Sequence, residues 1–98
     1  MLRIIVDSQE DIVKFLSEEK GLFYGAIVSG IKLSIRDNLN QTIIADFLGN
    51  DNKIILSIGI SESDWYESLY LALYYFESED EFERCYEIKK LIFELYGE

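Results

Sequence analysis

The spacing of apolar residues changes twice along this chain, and that change restricts the possible folds more than any other feature. Leu2–Val6 is a short β-branched run and predicts a first strand. Asp7 or Ser8 can then cap a helix whose first turn carries Glu10 and Asp11, with Ile12, Val13, Phe15 and Leu16 on one face and Gly21 as its stop. From residue 22 to residue 60 the pattern reads as period two. Ile27, Ile31, Leu33 and Ile35 face one way while Lys32, Ser34 and Arg36 take the other, with Gly25 and Gly30 marking bends. After the turn Asp37–Asn40, Ile43, Ala45 and Phe47 alternate with Thr42, Ile44 and Asp46. A second turn, Gly49–Asn52, leads to Ile54, Leu56, Ile58 and Ile60 on one face. These two turns predict an antiparallel meander buried on one side.

Beyond Ile60 the spacing returns to helical. Ser63 and Glu67 mark a start, and Trp65, Leu69, Ala72, Leu73 and Phe76 form a core stripe. Asp80 with Glu83 has capping-box spacing for a last helix that runs to about Tyr96, with Gly97 as terminator. The expected fold is α+β in the order β-α-β-β-β-α-α, with helices on one face of the sheet and an acidic C-terminal helical hairpin. The 98 residues contain no proline, no low-complexity run and no linker, so one domain, 1–98, is expected.

Charge narrows the function. The chain carries 19 acidic against 9 basic side chains, net −10. Residues 1–61 hold 8 acidic and 6 basic groups, and residues 62–98 hold 11 and 3, so the excess belongs to the C-terminal helices. A field of that sign repels nucleic-acid phosphates and anionic lipid, which argues against direct nucleic-acid or membrane binding. It matches a basic protein partner instead.

Chemistry-bearing motifs are absent. There is no histidine, no phosphate-cradling glycine loop, and a single cysteine, Cys85, set among Phe82, Ile88 and Ile92 as a small core hydrophobe. Asp46 is the one strand carboxylate flanked by apolar neighbours, and it reads as an outward-facing residue. Residues Asp46–Asn52 are rich in oxygen ligands but lack the order of a calcium loop. The expectation is a protein without enzymatic activity, metal or cofactor. The short apolar run at the start and the lone cysteine fit a cytoplasmic setting.

Aromatic residues supply the remaining signal. Trp65, Tyr66, Tyr70, Tyr74, Tyr75 and Phe76 crowd twelve positions. A rotation of about 100° per residue sends Trp65, Leu69, Leu73 and Phe76 to one side, and Tyr70, Leu71, Tyr74 and Tyr75 with Glu67 to the other. That second side is either covered by the last helix or shown to water. Tyrosine buries much area for little rotamer entropy, so Tyr70, Tyr74 and Tyr75 are the expected anchors, with Glu67, Glu77, Glu79, Asp80, Glu83 and Glu87 as charge contacts. The leading expectation is a small acidic module that masks a basic, nucleic-acid-handling surface, as an immunity protein, phage-type inhibitor or DNA mimic does. The alternative is an assembly module that forms a homodimer or larger homo-oligomer through its aromatic helices or an open sheet edge.

The stretch Phe76-Glu77-Ser78-Glu79-Asp80-Glu81-Phe82-Glu83-Arg84-Cys85-Tyr86-Glu87-Ile88-Lys89-Lys90-Leu91-Ile92 resembles the UVR motif, a helical hairpin found in nucleotide-excision-repair subunits and some stress-response adaptors. It is similar in its acidic turn, its aromatic-Glu step and its lysine-bearing second helix. Cys85-Tyr86 stands where that family has paired alanines, and Lys89 where it has an Arg-Asp pair. The resemblance implies protein–protein docking by the hairpin and names no partner.

Overall fold

The computed structural model describes residues Met1–Glu98 as an α+β fold of three strands and four helices. In chain order these are β1 (Leu2–Ile5), α1 (Gln9–Glu18), α2 (Lys20–Arg36), β2 (Gln41–Leu48), β3 (Ile54–Ser61), a 3-10 turn over Glu62–Asp64, α3 (Trp65–Ser78) and α4 (Phe82–Tyr96).

The main departure from expectation is residues 20–36, which form a helix and not a strand. Ile27, Ile31 and Ile35 are spaced by four, an interval compatible with either period. The buried set, Ile27, Val28, Gly30, Ile31 and Ser34, follows the helical repeat, and Leu33 is exposed. Gly21 therefore does not stop a helix; the break falls at Glu19, between α1 and α2. Nor do Gly25 and Gly30 bend a strand. Gly30 lets α2 approach β2 closely, since a Cβ there would lie 2.5 Å from Thr42 Cγ2. Beside it the buried hydroxyls of Ser34 and Thr42 hydrogen-bond to each other.

This change alters the sheet. With two helices between them, β1 and β2 have the long crossover that parallel neighbours require, and they pair in parallel, Leu2 opposite Ala45 through Ile5 opposite Leu48. Only β2 and β3 form an antiparallel hairpin, across the expected Gly49–Asn52 turn, where Asn52 takes a left-handed conformation (φ 62°). The sheet is thus mixed, in the order β1-β2-β3, and not an antiparallel meander.

The register of β2 slips at Ile44, because Ile43 lies opposite Gly59 and Ala45 opposite Ile58. The extra residue breaks the simple alternation read from the sequence, and Ile44 and Ala45 are both fully buried. They enter different clusters. Ile44 joins Ile27, Ile31, Trp65, Leu69, Phe76 and Ile88 in the larger core, which α2, α3 and α4 share. Ala45 and Phe47 join Val6 and Ile12 beneath α1, where Phe15 meets Phe47 edge-on at 5.7 Å. Val13, expected on that apolar face, is exposed. Asp46 lies on the outer face of the sheet, in register with exposed Arg3 and Ser57, but as a central-strand residue it is buried there and not solvated, and its carboxylate accepts a hydrogen bond from Ser57.

Candidate functional site

The C-terminal hairpin is built around a turn that the sequence assigns to the wrong helix. Asp80 does not cap the start of α4. It adopts φ 56° and closes α3, with Asp80 N–H donating to Glu77 C=O and Glu81 N–H donating to Phe76 C=O, the paired bonds of a Schellman cap. Asn38 ends α2 the same way, its N–H donating to Ile35 C=O and the Leu39 N–H to Ser34 C=O. The 3-10 turn at Glu62–Asp64 leads into α3, so Asp64 and not Ser63 occupies its N-cap position. Gly97 does terminate α4, at φ 74°.

Helix α3 has partners on two flanks and water on the third. Its core stripe is buried as expected. On one flank Tyr75 is half-buried and stacks on Tyr24 of α2, with centroids 5.0 Å apart, so one face of its ring is engaged within the molecule. On the other flank Tyr66 meets Tyr96 of α4 edge-on at 5.0 Å. Between these flanks Tyr66, Tyr70 and Tyr74 form an i, i+4, i+8 ladder with centroid spacings of 4.9 and 6.1 Å. Tyr70 is half-buried, and Tyr74 is 61% exposed in an open depression with Glu67 and Leu71.

The last helix does not cover this ladder. It buries Cys85, Ile88, Leu91 and Ile92, and exposes Phe82 (71%), Tyr86 (70%), Phe93 (65%) and Tyr96. Intervals of four, seven and three place these four rings on one stripe, which joins the ladder at the Tyr66–Tyr96 contact. Sequence reasoning does not separate these rings from the buried residues of the same helix. It also left Tyr66 out of the face, although the four-residue spacing of Tyr66, Tyr70 and Tyr74 was the available signal.

The carboxylates divide similarly. Glu67, Glu77, Glu79, Asp80 and Glu83 are exposed and form no ion pair. Glu87, expected with them, lies one turn along α4 from Glu83 and is paired, meeting Lys32 of α2 at 3.3 Å. Glu81 faces Arg84 at 3.6 Å, and the Arg84 guanidinium sits 4.9 Å from the centre of the Phe76 ring. The hairpin therefore presents an aromatic face with uncompensated negative charge at its turn. No three His, Cys, Asp or Glu side chains converge as metal ligands, and no helix is long and apolar enough to cross a membrane.

Glu98 marks the other end of the face. Its carboxylate accepts hydrogen bonds from the hydroxyls of Tyr66 (2.6 Å) and Tyr70 (3.3 Å). That bond, followed by partial desolvation, raises the pKa of Tyr66 well above its ordinary 10.0. Desolvation raises Tyr75, with the negative charges of Glu79 and Glu81 adding to it, and desolvation together with Glu62 raises Tyr96. The neutral phenol is favoured in the fold, so these contributions are complete below pH 10 and are lost as pH rises through the elevated values. An alkaline titration followed by tyrosinate absorbance should show three of the seven tyrosines ionising late. In Glu98→Gln one of the three should return towards the ordinary range. A single phase near pH 10 for all seven would contradict the cluster.

Comparison with known protein families, with characterised proteins and with solved structures finds no match to this chain. The resemblance of residues 76–92 to the UVR motif therefore remains a local likeness within a helical hairpin.

Proposed function

We propose that this protein is a small acidic binding module whose C-terminal hairpin docks on a basic surface of a partner protein and masks it. An immunity protein, a phage-type inhibitor and a DNA mimic act in this way on nucleic-acid-handling targets. The observation that carries the reading is the exposed aromatic stripe of α3 and α4 beside five carboxylates with no internal cation. Tyr66, Tyr74, Phe82, Tyr86 and Phe93 supply area to desolvate at the centre of a contact. Glu67, Glu77, Glu79, Asp80 and Glu83 supply the field that steers a basic partner. Phosphate-binding lysines and arginines are built to receive such an array of anionic oxygens. The proposal involves no catalysis and no cofactor, and places the protein in the cytoplasm with its target.

Capture from native lysate, followed by kinetics on the captured partner, tests this. The variant Glu77→Gln/Glu79→Gln/Asp80→Asn/Glu83→Gln keeps the turn, since asparagine tolerates the left-handed backbone at position 80. Association at low salt should slow by about tenfold or more, with dissociation little changed. Tyr74→Ser/Tyr86→Ser should instead accelerate dissociation. A partner without a basic surface, or an on-rate indifferent to the four acids, would refute the masking role.

A further inference from the structure

The sheet has two free edges, and they are protected very differently. Edge β1 is four residues long and carries Arg3. Edge β3 runs for eight residues, Ile54–Ser61, without a single charge or proline, and its Ile54, Ile55 and Leu56 side chains are exposed. Its pairing with β2 slips twice, at Ile55 and again opposite Ile44 between Ile58 and Gly59, and the residues on either side of the second slip, Leu56–Ile58 and Gly59–Ser61, keep their register. An edge strand directs alternate N–H and C=O groups outward, and proteins normally guard such a strand with lysine, proline or a bulge along its length. Here lysine and proline are both absent, and only the two slips interrupt the strand.

We infer that β3 pairs antiparallel with β3 of a second copy, joining two three-stranded sheets into one of six strands across a two-fold axis. Charge selects this occupant. On a molecule of net −10, two copies can approach only where acidic groups are sparse, and β3 is a charge-free stretch. Its ends carry opposite signs, Lys53 before the strand and Glu62 after it, both exposed. Antiparallel pairing brings each lysine next to the partner's glutamate, twice by symmetry. Asp51 does not cancel this, because its carboxylate is turned into the hairpin, accepting the Lys53 backbone N–H at 3.1 Å.

The aromatic hairpin stays outside this contact, so the pairing is independent of the masking role and leaves two hairpin faces available per dimer.

Sedimentation or light scattering from micromolar to near-millimolar protein should give a mass rising to twice 11.4 kDa. Hydrogen exchange should show alternate amides of Leu56–Ser61 gaining protection with concentration. Ile54→Lys/Leu56→Lys, at two exposed positions, should hold the protein monomeric with its melting transition retained. Lys53→Glu and Glu62→Lys should each weaken the dimer by on the order of tenfold, and the double exchange should restore it. A constant monomer mass would overturn the inference, including the case in which a strand from a different protein occupies the edge. A dimer lost in Tyr74→Ser/Tyr86→Ser but kept in Ile54→Lys/Leu56→Lys would overturn it as well, by moving the contact to the hairpin.

Discussion

Replacing Phe76 by alanine is expected to remove a large share of the stability of this protein, while the same change at Phe82, six residues along the hairpin, is expected to leave it almost untouched. Phe76 is 1% exposed, packs in the main core, meets Tyr75 edge-on at 5.2 Å and lies under the Arg84 guanidinium. Truncation loses the transfer energy of the ring and leaves a cavity in a region that helices on both flanks hold open, a cost of about 3–5 kcal/mol. A chain of this length has only about 5–15 kcal/mol in total. The melting temperature should therefore fall by at least about 12 °C. Phe82 has no such environment, and Phe82→Ala should stay within ~0.5 kcal/mol of the parent. Thermal or denaturant unfolding of the two variants decides the matter; equal losses would mean that α4 packs differently.

The second large effect concerns two glycines of α2 whose substitutions should act in opposite directions. Helix propensity alone favours replacing either by a residue with a side chain, by about 1 kcal/mol for alanine. At Gly30 packing opposes that gain. A Cβ would lie 2.5 Å from Thr42 Cγ2 and 3.4 Å from Ile44 Cδ1, both on a buried strand that the second core cluster pins from beyond the bulge. Gly30→Val should be destabilising towards the upper end of the ~1–3 kcal/mol typical of overpacking, lowering the melting temperature by about 10 °C or more. It should also disturb the Ser34–Thr42 hydroxyl pair, the polar tie between α2 and the sheet. At Gly21 the nearest atom to a new Cβ is the Tyr75 hydroxyl at 3.5 Å, an ordinary contact. Gly21→Ala should therefore be stabilising by roughly 0.5 kcal/mol, since this position lies in the first turn, where the propensity gain is partial. Two losses of similar size would show that the close approach at Gly30 is not what distinguishes the sites.

The same glycines explain where the sequence misleads. Gly25 and Gly30 among isoleucines resemble a bending strand, but they are small because other groups come close. A Cβ at Gly25 would meet the Arg84 guanidinium at 2.9 Å, just as one at Gly30 would meet Thr42. Neither neighbour is near in the chain, so no local pattern announces it. Asp80 is similar. Its spacing to Glu83 fits a capping box, but two signals compete for one residue, and the Schellman bonds that close α3 prevail. The site was half legible. Glu67, Glu77, Glu79, Asp80 and Glu83 are exposed and Tyr74 faces water, whereas Tyr75 and Glu87 meet Tyr24 and Lys32 of a helix whose local spacing also fits a strand.

What the sequence determined by itself is local. The core stripe Trp65, Leu69, Ala72, Leu73 and Phe76, the turn at Gly49–Asn52, the terminator Gly97 and the concentration of charge beyond residue 61 all depend on spacing or composition within a few turns of chain. The tertiary structure decided the rest. A spacing of four between isoleucines fits a helix and a strand equally, and only packing against β2 on one side and α3 on the other selects the helix for residues 20–36. That choice makes β1 and β2 parallel, because a two-helix crossover returns the chain in the same direction. It also determines which aromatic rings of the hairpin are enclosed, since an amphipathic pattern records that a face is apolar but not whether another element arrives to cover it.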